Sequence, residues 1–187
     1  MKKLNPQTYI GRLRKVLDSF DRSKIVLLER LLSEARETGA TVFFAGNGGS
    51  AATASHASCD FGKTIQRGKA GKGIRAMCLC DNVPLLTAWG NDADYAFVFA
   101  EGLRNFASKG DVFIPISASG NSPNILEAIK VAHKMGLKTF GLLGFDGGKT
   151  KKLLTHYLLV ESNDYGVIED IHMMTFHLIT DYLKTAK

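Results

Sequence analysis

The sequence predicts an α/β fold: a three-layer sandwich with a five-stranded parallel sheet between two layers of helices, preceded by an N-terminal helical hairpin. Three observations predict it. From Thr41 onward, short apolar runs of strand length alternate with segments of helical period, and that alternation builds parallel sheets covered on both faces. The 187 residues suffice for one such domain with a full core and are too few for two comfortable ones. Hydrophobic residues make up 45% and charged residues 22%, a globular balance that argues against a disordered or collagen-like chain. Residues 1–187 therefore read as a single domain. Within it, residues 1–38 form the hairpin and residues 39–187 the α/β core with a long terminal helix.

Residues 7–38 read as two helices. The first carries Tyr9, Leu13, Val16, Leu17 and Phe20 at helical spacing. Asp21 and Ser23 supply turn and cap chemistry, the second helix follows with Ile25, Leu28, Leu31 and Leu32, and Gly39 closes it. This hairpin has apolar surface to spare, so it is expected to pack on its own domain or on a second copy of the chain. Thr41 to Ala45 is the first strand, followed by Gly46-Asn47-Gly48-Gly49-Ser50 and a helix through about Phe61. Residues 75–80 form the second strand, with helical stretches over 85–89 and about 96–107. Residues 111–116 form the third strand, Pro123 to Met135 a helix, 138–143 the fourth strand and Tyr157 to Val160 the fifth. A long helix over about 167–185 ends the chain, and there is no internal repeat or linker.

Several function classes recede. The longest apolar runs, such as 112–116, are far short of a membrane span. The first residues carry lysines with no apolar signal core behind them. A cytoplasmic protein without a membrane partner is expected. Net charge is +6, but the basic residues are scattered. Only 63–75 concentrates them, and that glycine-rich stretch reads as a solvated loop, not a nucleic-acid patch. The cysteines, Cys59, Cys78 and Cys80, are odd in number and fit no disulfide framework or zinc knuckle. Cys78 and Cys80 read as ordinary strand residues in a reducing compartment.

In parallel sheets ligands bind beyond the carboxyl ends of the strands. The loop from Gly46 to Ser50 follows a strand and opens a helix. Its glycines, Gly48 and Gly49 among them, let backbone N–H groups approach an anion, and the helix N-terminus adds positive potential. It lacks the lysine of a triphosphate-binding loop and is not a full dinucleotide fingerprint. A second loop, Ser117-Ala118-Ser119-Gly120-Asn121-Ser122, again lies between strand and helix. Its three hydroxyls suit a phosphate, and Pro123 suits the first helical turn. Ser119 or Ser122 acting only as an N-cap is the plainer reading, though capping and phosphate binding share one geometry. Two such loops brought to one crevice point to a phosphorylated ligand.

The motifs G-N-G-G-S-A-A-x-A-x-H over 46–56, G-N-D over 90–92, I-S-x-S-G-N-S-P-N-I-L-x-A-I over 116–129 and D-G-G over 146–148 resemble the SIS-domain phosphoheptose isomerases. The likeness runs through nearly the whole chain, in order. It implies the SIS fold with its flavodoxin-like strand order. It implies a cytoplasmic homotetramer with active sites near subunit interfaces, acting on a phosphorylated seven-carbon sugar. The reaction converts sedoheptulose 7-phosphate to the 7-phosphate of D-glycero-D-manno-heptose, for lipopolysaccharide or capsule. It also implies that Ser50, Ser117, Ser119 and Ser122 hold the phosphate, and that Asn47 and Asp92 lie near the sugar hydroxyls. Ala118 stands where relatives often have threonine, which removes one hydroxyl donor.

Moving a proton between adjacent sugar carbons needs a base, an acid at the oxygens and stabilisation of developing negative charge. The helix after the first loop offers His56 and Asp60, four apart on one face. The terminal helix offers Glu169 and His177, eight apart and read as sharing a face, with His172 near the edge. A His–Asp pair of this spacing is by itself usually a surface pair; the phosphate loops beside it change that reading. Such side chains can bind a divalent metal, zinc by preference. His56, Asp60, Glu169 and His177 are therefore the expected metal site, with one zinc per subunit. Asp60 or Glu169 is the expected base and His177 its acid–base partner. Relatives carry glutamate where this chain has Asp60 and glutamine where it has Glu169. A sugar-phosphate-binding regulator without activity, or an isomerase of another phosphosugar, are the competing readings. Tyr165-Gly166 reads as a hinge or a turn, and Trp89 as core or interface.

Overall fold

The structure, a computed structural model, describes residues 5–68 and 71–185. The first four residues and part of the 63–75 basic stretch therefore lie outside the described residues. The strands are β1 (Thr41–Ala45), β2 (Arg75–Cys78), β3 (Val112–Ser117), β4 (Lys138–Thr139), β5 (Gly141–Gly144) and β6 (Tyr157–Val160). The helices are α1 (Pro6–Ser19), α2 (Ser23–Thr38), α3 (Gly49–Cys59), α4 (Val83–Asp92), α5 (Val98–Phe106), α6 (Pro123–Met135), α7 (Gly148–Leu153) and α8 (Tyr165–Thr185). All strand pairs are parallel, in the order β2-β1-β3-β5-β6, with β4 also on β3.

Since β4 and β5 continue one line, this is the expected five-stranded, flavodoxin-like sheet. The break between them has a local cause. Phe140 N–H still donates to Phe113 O at 3.2 Å, so Phe113 faces that neighbour. Pro115, two residues on, faces the same way and has no N–H to give. Register is nevertheless kept, from Val112↔Lys138 to Ile116↔Leu142.

Side chains alternate across the sheet and divide the core. Val42, Phe44, Ile114 and Leu158 pack with α2, α3 and α8, where Phe44, Phe61 and Phe176 meet edge-on or stacked at 5.7–5.9 Å. Phe43, Phe113 and Leu143 pack on the opposite side with α5 and α6, and half-buried Trp89 joins that cluster. A third cluster joins Leu13, Val16 and Leu17 of α1 to Val167, Ile168 and Ile171 of α8. Tyr9 reinforces it by donating to Asp170 at 2.7 Å, a bond that pushes the phenol up to about 12. The hairpin thus packs on its own domain, one of the two expected destinations.

The topology creates the crevice. β1 lies between β2 and β3. The chain leaves β1 through α3 toward β2 and returns to β3 on the other side, so the loops after β1 and β3 diverge. β2 ends at Cys78, two residues before its expected end. Cys80, beyond it, donates its thiol to Gly46 O at 3.3 Å beneath the first loop.

His172 is fully buried on α8. Its Nε2 lies 3.1 Å from Leu143 O, which fixes the neutral tautomer with N–H on Nε2 and leaves Nδ1 without a partner among the described residues. Burial drives its pKa down from 6.5 to about 4, the carbonyl contact opposing only in part. The unfolded chain therefore takes up this proton before the folded one does. The stability involved is whole above pH 6.5 and is lost as pH falls toward 4, by about 3 kcal/mol in all. Urea unfolding of the wild type and His172→Met across this range is expected to show a steeper acid loss in the wild type. Parallel curves would contradict the assignment.

Candidate functional site

The first loop turns the chain sharply from β1 into α3. Gly48 takes φ +55°, a left-handed conformation that favours glycine, and turns the chain into α3. Ser50 N–H donates to Asn47 O at 3.0 Å and Ala51 N–H to Gly48 O at 3.0 Å, so of the leading N–H groups of α3 that of Gly49 is left without an acceptor among the described residues. Ser50 is buried in the first turn.

The second loop faces it. Ser117, 4% exposed at the end of β3, accepts from Gly120 N–H through Oγ at 3.1 Å. Ser119 Oγ accepts from Asn121 N–H at 3.3 Å. Ser122 stands at the N-cap of α6, yet its hydroxyl makes no capping bond; Ile125 and Leu126 N–H both go to its carbonyl. Among the described residues its hydroxyl has no hydrogen-bond partner. Ser50, Ser117, Ser119 and Ser122 line one cleft of about 180 Å³ with Asn47, Ala118, Tyr165 and Glu169. A larger cavity, about 570 Å³, lies between β2, α4 and α5, but apolar side chains such as Leu79, Leu86 and Phe106 dominate it. Convergent polar groups, not volume, mark the candidate site.

The serine loop is braced from behind. Gly120 takes φ +63°, and a Cβ there would fall 2.1 Å from Gly147 O. Thr150 N–H donates to Gly120 O at 2.9 Å and Lys149 N–H to Asn121 Oδ1 at 3.1 Å. The Asp146-Gly147-Gly148 turn therefore seats the second loop through close backbone contact.

The imidazoles lie on α3, beyond Ser50, and on α8. His56 Nε2 is 3.0 Å from His177 Nε2 and 3.3 Å from Asp60 Oδ2. Thr64 donates to Asp60 Oδ1 at 2.9 Å, orienting that carboxylate. A π-turn over Asp60–Thr64 continues α3, a distortion frequent at functional sites. Ligand atoms of His56, Asp60 and His177 all lie within 4.8 Å of one another, a grouping able to hold a metal ion. Two imidazoles and one carboxylate suit zinc with a position left open.

Glu169 stands apart from these three. Its carboxylate lies against Gly49, where any Cβ would come within 2.3 Å of its oxygens, and it lines the serine cleft. Eight residues turn a helix through about 800°, so Glu169 and His177 diverge by about 80° around α8. Asp92, the last residue of α4, is exposed and accepts from Asn91 at 2.8 Å. Asn47 is engaged by its neighbours. It exchanges two 2.9 Å amide hydrogen bonds with Asn124, and Tyr95 OH lies 3.2 Å from its Oδ1.

Comparison with known proteins shows the family. The SIS domain model matches residues 8–144. The phosphoheptose isomerase of Aliarcobacter butzleri is 41% identical over 150 residues, 80% of this chain and 78% of the relative. That of Helicobacter pylori strain P12 is 36% identical over 172 residues, 92% and 88%. The chain belongs to the SIS-domain phosphoheptose isomerase family. A solved member of the family, from Neisseria gonorrhoeae, superposes with a TM-score of 0.81 at 30% identity, covering 92% of this chain and 89% of that one.

Among the site's residues in this family member, Asn124, Tyr95 and Thr64 escape sequence reasoning. Asn124 sits inside a quoted motif, but a helix-opening asparagine reads as local capping. Thr64 follows Asp60 by four, a spacing that a helical reading does supply.

Proposed function

We propose that this protein is an aldose–ketose isomerase converting sedoheptulose 7-phosphate to D-glycero-D-manno-heptose 7-phosphate, in the cytoplasm, for lipopolysaccharide or capsule. One observation carries the reading. The serine cleft and the imidazole cluster share two helices, with Ser50 and His56 six residues apart on α3, about 9 Å along its axis. That separation is comparable to an extended seven-carbon chain. A phosphate held among the serines puts the other end of the sugar near the imidazoles.

Isomerisation removes a proton from the carbon beside the carbonyl, passes through an enediol and returns the proton to the neighbouring carbon. Asp60 is the base in this reading: it stands beside the imidazoles, its oxygens oriented by His56 and Thr64, whereas Glu169 lines the serine cleft that would take the phosphate. His177, held against His56, moves protons at the sugar oxygens. His56, Asp60 and His177 would hold one zinc per subunit. Zinc bound there supplies positive charge where the enediol develops negative charge.

A homotetramer with sites near subunit contacts completes the reading. Apolar α4 buries none of its residues. Leu178 and Tyr182, beside His177 on α8, are exposed, as is Tyr165 at the cleft. The cleft is also smaller than most ligand pockets, as expected of a site still lacking a wall.

The test is incubation of the purified protein with sedoheptulose 7-phosphate, with added zinc and with chelator, following products by chromatography. Turnover that zinc raises and chelator lowers is expected, and absence of turnover with zinc present overturns the proposal. Ser119→Ala and Ser122→Ala should each raise KM about 10-fold or more, since a hydrogen bond to a charged group contributes about 1.5–3 kcal/mol. An unchanged KM in both variants would remove the phosphate from this cleft.

A further inference from the structure

The two phosphate loops are tied together by side chains as well as by the sheet. Backbone register ends at Ala45↔Pro115, so beyond the strands the separation of the loops is set by other contacts. Asn124, on the first turn of α6, is 2% exposed. Its Oδ1 accepts from Asn47 Nδ2 at 2.9 Å and from Ile125 N–H at 3.0 Å. Its Nδ2 returns a 2.9 Å bond to Asn47 Oδ1, which also accepts from Tyr95 OH at 3.2 Å. An amide oxygen has two lone pairs, so the oxygens of both asparagines are filled within the protein. Asn47 keeps one amide hydrogen for a ligand, and its backbone carbonyl receives Ser50 N–H.

We propose that Asn124 is a positioning residue: through its reciprocal amide pair with Asn47 it fixes the distance between the two loops and hence the width of the phosphate seat. The inference rests on the proposed function only in taking phosphate as the group bound there. Asn124 itself lies behind the cleft lining and touches no ligand. Asn47 serves mainly as a strut that aims the Gly48–Ser50 backbone, with a single N–H left toward the sugar. Losing the pair frees the loops to splay, which weakens phosphate capture while leaving the imidazole end in place.

The experiment measures binding of inorganic phosphate by calorimetry, alongside KM and kcat for sedoheptulose 7-phosphate, in wild type, Asn47→Ala, Asn124→Ala and the double variant. Asn124→Ala is expected to weaken phosphate binding and raise KM about 10-fold, with kcat changed less than about 3-fold. The double variant should be no worse than the poorer single one, because the two side chains act as a unit. Should Asn124→Ala fail to fold, Asn124→Ser takes its place; it can keep an acceptor for Ile125 N–H but is too short to reach Asn47. Unchanged phosphate affinity in the folded variant, a fall confined to kcat, or additive losses in the double variant would each overturn the inference. Wild-type protein that binds phosphate without turning over the heptose would defeat the activity and leave Asn124 tested through binding alone. Wild-type protein that binds no phosphate would defeat both.

Discussion

Replacing His177 with alanine is expected to lower kcat for isomerisation by about 10²–10⁴-fold, the range that a positioned acid–base group contributes. The argument begins with geometry. His177 Nε2 lies 3.0 Å from His56 Nε2, and the His177 side chain is exposed on the face of α8 that presents Leu178 and Tyr182. Its loss removes no buried contact of the core, so the fold should persist and Tm should change little. The same substitution removes one of the three groups gathered for a metal ion. Zinc content measured on the purified variant should therefore fall together with kcat, while phosphate affinity at the serine cleft stays near wild type. A His177→Ala enzyme with full activity would sink the acid–base assignment, and Asp60→Ala provides an independent check on the metal cluster.

Gly120→Ala is expected to be as damaging by a different route. The residue combines φ +63° with a Cβ position 2.1 Å from Gly147 O. Neither partner can give easily, because the obstacle is backbone. A side chain in the left-handed region adds strain of about 1–3 kcal/mol, and relief of the clash must separate the serine loop from the Gly147-Gly148 turn. The expected outcome is a loss of about 3 kcal/mol or more, which lowers Tm by about 6–12 °C for a chain of this size. Phosphate binding should be lost with it, since Ser117, Ser119 and Ser122 all sit on the displaced loop. Gly11→Ala is the control. Gly11 lies in α1 with nothing within 4 Å of its Cβ position, and alanine there should stabilise by about 0.5–1 kcal/mol. Equal melting temperatures for Gly120→Ala and wild type would refute the bracing role of the Asp146-Gly147-Gly148 turn.

These cases show what the sequence makes legible. Strands β1, β3 and β6 and helices α2 and α6 lie close to where periodicity and capping residues put them, because buried apolar runs and cap chemistry are local signals. α7 was not legible: its Gly-Lys-Thr-Lys-Lys-Leu sequence shows no apolar period, and its position is fixed by the bond from Thr150 to Gly120. The split between β4 and β5 traces to Pro115 on the neighbouring strand, beyond the reach of a local reading. In the site, the serines, glycines and histidines are recognisable by type and loop position. The Glu169 orientation is not, because its contact with Gly49 depends on how α8 crosses α3. The Asn47–Asn124 exchange spans 77 residues, and sequence patterns carry no such pairing without the fold.

The helical spacing of the site residues on α3 and α8 has one more consequence. Ser50 to His56 advances about 9 Å along α3, and Glu169 to His177 about 12 Å along α8. Both intervals are set by helical rise, which side-chain motion does not alter. In the proposed complex they would act together as a ruler laid beside the sugar. Under the proposed function, a sugar phosphate with fewer carbons, gripped by the same hydroxyls, would end short of the imidazoles, and helix pitch alone would select for chain length.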